Sequence, residues 1–362
     1  MRNPVGWTCL SAALAVATLS PGALRAEGAT FIQKNLVSDI PKLATITDTE
    51  LLNPWGVSHG PRTPFWVSNQ VTNTTTLYAV RDKVKVIKVP INPPKGLVNI
   101  PTDGGPPRGP TGQVFNFNPS SFPVKNGGDG GPAVFIFADL NGTISAWDGG
   151  LTAFNQVKVR GAVYTGLAIN GAQTRLYAAN TAGGGSVDVF DSAFRVRSLR
   201  PGAFVDPSLP KGLAPFNVEV IRGDVYVAYA PPARPAATHA ALGVGAVAIF
   251  DENGKFIKQL IAGGRLSAPW GITLAPSGFG RFSNDLLVSN FSFLHSEINA
   301  FSPKNGKLIG TLPVSTSGHR PGGLWWIGFG VDGAANGDPH TLYFSDGING
   351  EADGLFGAIF SQ

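Results

Sequence analysis

The stretch NPWGVSHGPRTPFWVSN, from Asn53 to Asn69, is written again downstream as APWGITLAPSGFGRFSNDLLVSN, from Ala268 to Asn290. Both copies read Pro-Trp-Gly, an apolar run, a turn rich in Gly and Pro, and a second apolar run that stops on Ser-Asn. The runs are short and carry Val, Ile, Leu, Phe and Trp between turn signals, which marks strands rather than helices. A chain that repeats a small sheet unit must stack the copies, because one copy alone cannot bury both of its faces.

The same grammar recurs at irregular spacing. A Gly before an apolar residue opens the unit at Gly56, Gly112, Gly166, Gly271 and Gly323, with Asn217 in the Gly place once. The second strand stops on Asn69, Asp139, Asn180, Asn290 and Asp346, and the fourth copy carries Tyr229 instead. A third strand follows each time, from TLYAV after Thr76 to GAIF after Gly357. A fourth alternates charged and apolar residues: KVKVIKV from Lys83, QVKVR from Gln156, FRVRSLR from Phe194, KFIKQL from Lys255 and KLIGTL from Lys307. Period-two alternation belongs to a strand with one wet face. The sixth copy has no fourth strand, and ATFIQKNLV from Ala29 supplies the missing piece. Six such units predict an all-β chain, a six-bladed β-propeller whose ring is closed by an N-terminal strand completing the last blade. The repeated Gly lets the innermost strands crowd round the axis. A β-sandwich pair does not account for six matched units.

Composition agrees with this architecture. Hydrophobic residues make up 43% of the 362-residue chain and charged residues 14%, enough for a large core. Residues 1–26 read as an export signal, with Arg2, the apolar run LSAALAVATL from Leu10 and a small-residue stretch ending at Ala26. The propeller then spans 27–362, and the protein is expected in the periplasm or outside the cell. The single Cys, Cys9, and the single Met, Met1, fall inside the signal. The mature chain therefore offers no disulfide, thiolate metal site or thiol nucleophile. No other apolar run is long enough to span a bilayer. The net charge of +5 is spread over the outermost strands, where Lys guards sheet edges, which speaks against nucleic acid as a partner.

In a propeller the loop entering the first strand and the loop leaving the second share a face. Asn69, Asp139, Asn180, Tyr229, Asn290 and Asp346 then form a ring on that face, beside Trp55 and Trp270. Two readings stay open for the ring: oxygen donors for a hard cation such as Ca²⁺, or Asx residues that end strands by bonding their own turns. Glu219 lies on an innermost strand, where Ser58, Val114, Ala168, Thr273 and Trp325 are read as its counterparts. A carboxylate there must be hydrated, paired or metal-bound. Calcium is the candidate cofactor, at Glu219, Asn180, Asn290 and Asp346. The tryptophans either offer flat faces to sugar rings or pack between blades. The segment APPARPAATHAALGVG from Ala230 overhangs the ring face. The five His show no metal-pair spacing, and no G-x-S-x-G is present.

The six units resemble NHL-type six-bladed propellers. More narrowly, LVSDIP, NPWG and NGDPHTLYFSDGINGEADGLFG (from Asn336) resemble an uncharacterised bacterial family of secreted proteins, which implies no particular activity. A looser likeness is to gluconolactonase-type propellers, which hold a divalent cation over the axis with Glu, Asn and Asp. Only Glu219 and the ring could take those parts, and Glu219 falls in the fourth blade where that type uses the first. The expectation is a monomeric binding module for a small molecule, glycan or protein. A cation-dependent hydrolase of the lactonase type and a structural envelope or matrix role are the alternatives.

Overall fold

The computed structural model describes residues 30–91, 96–102, 109–232, 234–331 and 334–362; the expected export signal, with Cys9 and Met1, lies outside them. Among the described residues the strands form six antiparallel blades in a ring. The innermost strands, in ring order, are Pro54–Ser58, Pro110–Phe115, Tyr164–Ile169, Ala214–Ile221, Pro269–Leu274 and Leu324–Phe329, and each packs against the next. The ring closes as the unit count requires. The strand Phe31–Ser38 runs antiparallel to Leu355–Ser361, from Phe31 opposite Ser361 to Ser38 opposite Leu355. The first strand thus becomes the outer strand of blade 6, with Ile46–Thr47 added beyond it in parallel.

The core lies between blades. In the second strand of blade 3, Leu176 and Ala178 face blade 2, whereas Tyr177 and Ala179 face blade 4. All four are buried, so the strand reads as continuously apolar where a one-faced strand would alternate. Phe344 of blade 6 and Val227 of blade 4 sit in the same kind of two-sided environment.

The Gly of each unit does what the crowding argument requires. A Cβ on Gly56 would meet the backbone of Thr111 and Gly112, and one on Gly271 would meet the Trp325 carbonyl. In blade 4 the Asn217 side chain fills the gap over Gly166 and donates to the Trp270 carbonyl at 2.8 Å. The Ser of the repeated Ser-Asn and Ser-Asp endings stitches neighbouring blades. Ser289 Oγ donates to the Trp325 carbonyl and Ser345 Oγ to the Trp55 carbonyl, both at 2.6 Å. Ser68 Oγ accepts from Gln113 Nε2 at 2.9 Å.

Three details differ from the sequence reading. Blade 3 has three strands, because FRVRSLR meets its neighbour through an isolated bridge from Val196 to Phe190 and a few turn bonds rather than a continuous ladder. Phe204 from the following loop covers the sheet there instead, packed against Tyr177 and Phe250. In blade 6 the Gly place belongs to Trp326 and not to Gly323. Leu324 pairs with Asp346 as Pro54 pairs with Asn69, which puts Trp325 level with Trp55. The blade 6 counterpart of Glu219 is accordingly Gly328, not Trp325: Gly328 lies opposite Tyr343 and Glu219 opposite Tyr226, each three residues before its strand-end residue.

Candidate ligand-binding site on the propeller axis

The register brings the six strand-end residues to one level. Asn69, Asp139, Asn180, Tyr229, Asn290 and Asp346 lie opposite Pro54, Pro110, Tyr164, Pro215, Pro269 and Leu324 respectively. Their bonded side-chain atoms turn into their own blades. Asp139 Oδ1 takes the N–H groups of Asn141 and Thr143 at 2.8 and 2.9 Å. Asn180 Oδ1 takes those of Val163 and Ala182 at 3.0 and 3.1 Å, and its amide donates to Asp188. Asn290 bridges the Ser267 N–H and the Arg265 carbonyl. Asn69 donates to Thr74 and Thr76. These are turn and strand-edge bonds of the Asx kind.

The Tyr229 hydroxyl and both Asp346 carboxyl oxygens are buried with no hydrogen-bond partner. Burial pushes the Asp346 carboxyl up to about 7. For Asp139 burial also dominates, holding it at about 6 although two backbone N–H groups pull it down. A buried acid is easier to keep neutral than charged without a cation beside it.

In four of the six blades the residue after the strand end reaches the axis instead. Gln70, Leu140, Thr181 and Phe291 line a cup of about 370 Å³ on the ring face. Its floor is aromatic. Trp55 stacks on Trp325 with centroids 3.5 Å apart, and Phe291 stacks with Trp325 at 4.1 Å. Trp270 meets the edges of Trp55 and Trp325 and donates its indole N–H across the ring to the Thr165 carbonyl at 2.9 Å. These tryptophans therefore pack on the axis rather than between blades. Trp325 is held from the side by Asn53, whose Oδ1 accepts from Trp325 Nε1 at 3.2 Å. The Asn53 amide in turn donates to Gln70 Oε1 at 2.9 Å and Glu351 Oε1 at 3.0 Å. Two residues that line the cup each carry a buried N–H with no partner in the protein: Trp55 Nε1 and Gln70 Nε2. A buried N–H left unmatched costs about 1–3 kcal/mol, so such a pair calls for an acceptor.

The overhanging segment forms one wall. Its short helix, Arg234–Thr238, puts Ala237 on the cup, and the Thr238 carbonyl takes the Phe293 N–H at 2.9 Å. Ser292 Oγ pins it again through the Ala240 carbonyl at 2.7 Å.

Glu219 lies at the other end of the axis, beyond the tryptophan plug. It lines two adjoining cavities of about 380 and 450 Å³, together with His59 and Trp326. Neither cavity is lined by Asn180, Asn290 or Asp346, so the proposed calcium ligands are split between the two ends. Among the described residues no three His, Cys, Asp or Glu side chains gather as a metal set would. The cup residues Gln70, Thr181, Phe216 and Phe291 went unread in the sequence, and Trp325 was read at the wrong level of the axis. The available signal was positional: one residue after the strand end, or one before the Gly.

Fold and axis define a six-bladed β-propeller with a blocked central channel. Streptogramin B lyase superposes with a TM-score of 0.52 at 12% identity, over 92% of this chain and 98% of that one. A luciferin-regenerating enzyme gives the same TM-score and identity over 91% and 95%. These likenesses establish the shared fold. No protein-family description matches the chain. In sequence it is 28% identical over 343 residues to uncharacterised protein R648 of Acanthamoeba polyphaga mimivirus, covering 90% of this chain and 78% of that protein. From its motifs the chain is expected to be kin to secreted bacterial proteins, whereas this relative is viral.

Proposed function

We propose that the protein is a binding module and that its ligand is a compact, largely apolar small molecule seated in the ring-face cup. The observation that carries this reading is the pair of unmatched donors, Trp55 Nε1 and Gln70 Nε2, in a cup otherwise walled by Trp325, Phe216, Phe291 and Leu140. The volume of about 370 Å³ is at the small end of ligand pockets. The apolar walls select a ring or branched hydrocarbon body. The two N–H groups select a carbonyl, ether or lactone oxygen on it. Both faces of Trp325 are already stacked, which leaves that indole no flat face for a sugar.

The test is tryptophan fluorescence and thermal shift against a panel of coumarin, camphor, glucose and CaCl₂. Coumarin or camphor should raise the melting temperature, since a ligand that binds only the folded state stabilises it. A response to glucose alone, or to none of the four, overturns the reading. Turnover of coumarin or another lactone only with Ca²⁺ present would replace it with the hydrolase alternative. We further propose that the protein is exported, on the strength of the pattern in residues 1–26. N-terminal sequencing of the mature protein should begin at Glu27, and an intact Met1 would refute it. Export would also be the property shared with the bacterial proteins whose motifs the chain resembles.

A further inference from the structure

The mouth opposite the cup contains a carboxylate that the cup reading does not use. Glu219 Oε1 accepts only the neighbouring Val220 N–H, at 3.2 Å, and Glu219 is in none of the ion pairs found among the described residues. Protein encloses it on the channel wall, yet the side chain stays partly open to solvent along the two cavities it lines. Two blades round the ring is Trp326. The indole of Trp326 lies over Gly328, where a Cβ would run into the ring. Gly328 sits on the same rung of blade 6 as Glu219 does of blade 4, so the missing side chain lets the indole lie at the depth of the carboxylate. Carboxylate and indole face the same two cavities from blades separated only by blade 5.

The surroundings discriminate between occupants. A calcium ion needs six to eight oxygen ligands, usually with several carboxylates among them; here Glu219 is the one carboxylate in the lining, beside the uncharged Ser58, Gln113 and Thr273 and the apolar Val114, Leu167 and Ile327. An anion would meet Glu219. A single carboxylate balances a single positive charge, and the indole face attracts a cation whose shell is hydrocarbon rather than water. We propose that this mouth binds a small organic ammonium ion, with its charge on Glu219 and its alkyl groups against Trp326. The site is separate from the cup, because the Trp55, Trp270 and Trp325 plug lies between them. Burial pushes the Glu219 carboxyl up to about 7, the expected behaviour of a carboxylate without its counter-ion. The other groups able to carry positive charge there are His59 and Arg222, with Arg222 exposed on the rim.

The experiment is calorimetric titration of the full chain at pH 8 and low salt with phenethylammonium, tetramethylammonium and CaCl₂. Heat is expected with the ammonium ions. Glu219→Gln should weaken binding at least tenfold, and Trp326→Leu should weaken tetramethylammonium several-fold. Gln70→Ala, a cup variant, should leave it unchanged, which keeps this site distinguishable from the other. A thermal melt of each variant checks folding. Wild-type protein silent to both ammonium ions overturns the proposal without recourse to a variant. So does equal binding by a folded Glu219→Gln protein, or heat with CaCl₂ alone.

Discussion

The two ends of the axis are made from the same six strands and differ in chemistry. On the ring face the strands enter with Trp55, Thr165, Phe216, Trp270 and Trp325, and the opening is apolar with two unmatched donors. Three residues along, the strands leave past Ser58, Glu219 and Gly328, and the opening carries one acid. A strand shows alternate residues to alternate sides, but an innermost strand also changes surroundings along its length. Repetition therefore dictates the level of a residue on the axis and leaves its chemistry free. Asp139 and Asp346 make the same point at one level: one accepts two turn N–H groups, and the other accepts none.

Removing the partition should have the largest effect. Trp325→Ala deletes the ring stacked between Trp55 and Phe291 and joins the two ends. It should destabilise by about 3–5 kcal/mol, read as a lower urea midpoint. It should also abolish discrimination between cup and mouth ligands. The second effect concerns Asp346, whose folded value of about 7 lies above the ordinary 3.8. The sign follows directly: the native state holds the proton longer, so stability is full below pH 4 and is lost as pH rises towards 7. The loss is on the order of 4 kcal/mol by linkage. Asp346→Asn should therefore raise the melting temperature by several degrees at pH 8 and leave it unchanged at pH 4. An equal shift at both would mean that the carboxyl is not buried uncharged. Glu219→Gln, open to the channel, should show a smaller shift of the same sign. The smallest effect belongs to Gln70→Ala, which removes one donor from the cup. It should weaken coumarin or camphor several-fold, about 1 kcal/mol for one neutral hydrogen bond.

The architecture was legible because each unit repeats features with a physical cause: Gly where strands crowd, Asx where strands end, and a two-sided apolar second strand. The outer strand of blade 3 was not, because an outermost strand pairs on one side only and a loop can replace it. Phe204 does so while Val196 stays 53% exposed. The Pro-Trp-Gly repeat exposed Trp55 and Trp270. Their partner Trp325 was misplaced, since blade 6 writes Trp325-Trp326 where blades 1 and 5 write Trp-Gly, and the error moved the reading of Glu219's counterpart with it. The unmatched donors could not be read at all. They depend on how Asn53 orients Gln70, a contact between residues on two separate loops.

The pairing of Phe31 with Ser361 has a bearing on biogenesis. Blade 6 is unfinished until the strand Leu355–Ser361 has been made, so the circle cannot shut before that strand is available. Until then the strand Phe31–Ser38 waits without its partner, open to capture by the Leu355–Ser361 strand of another copy. Closure thus couples two segments at opposite ends of the propeller's sequence, and crowded, half-made copies would exchange them.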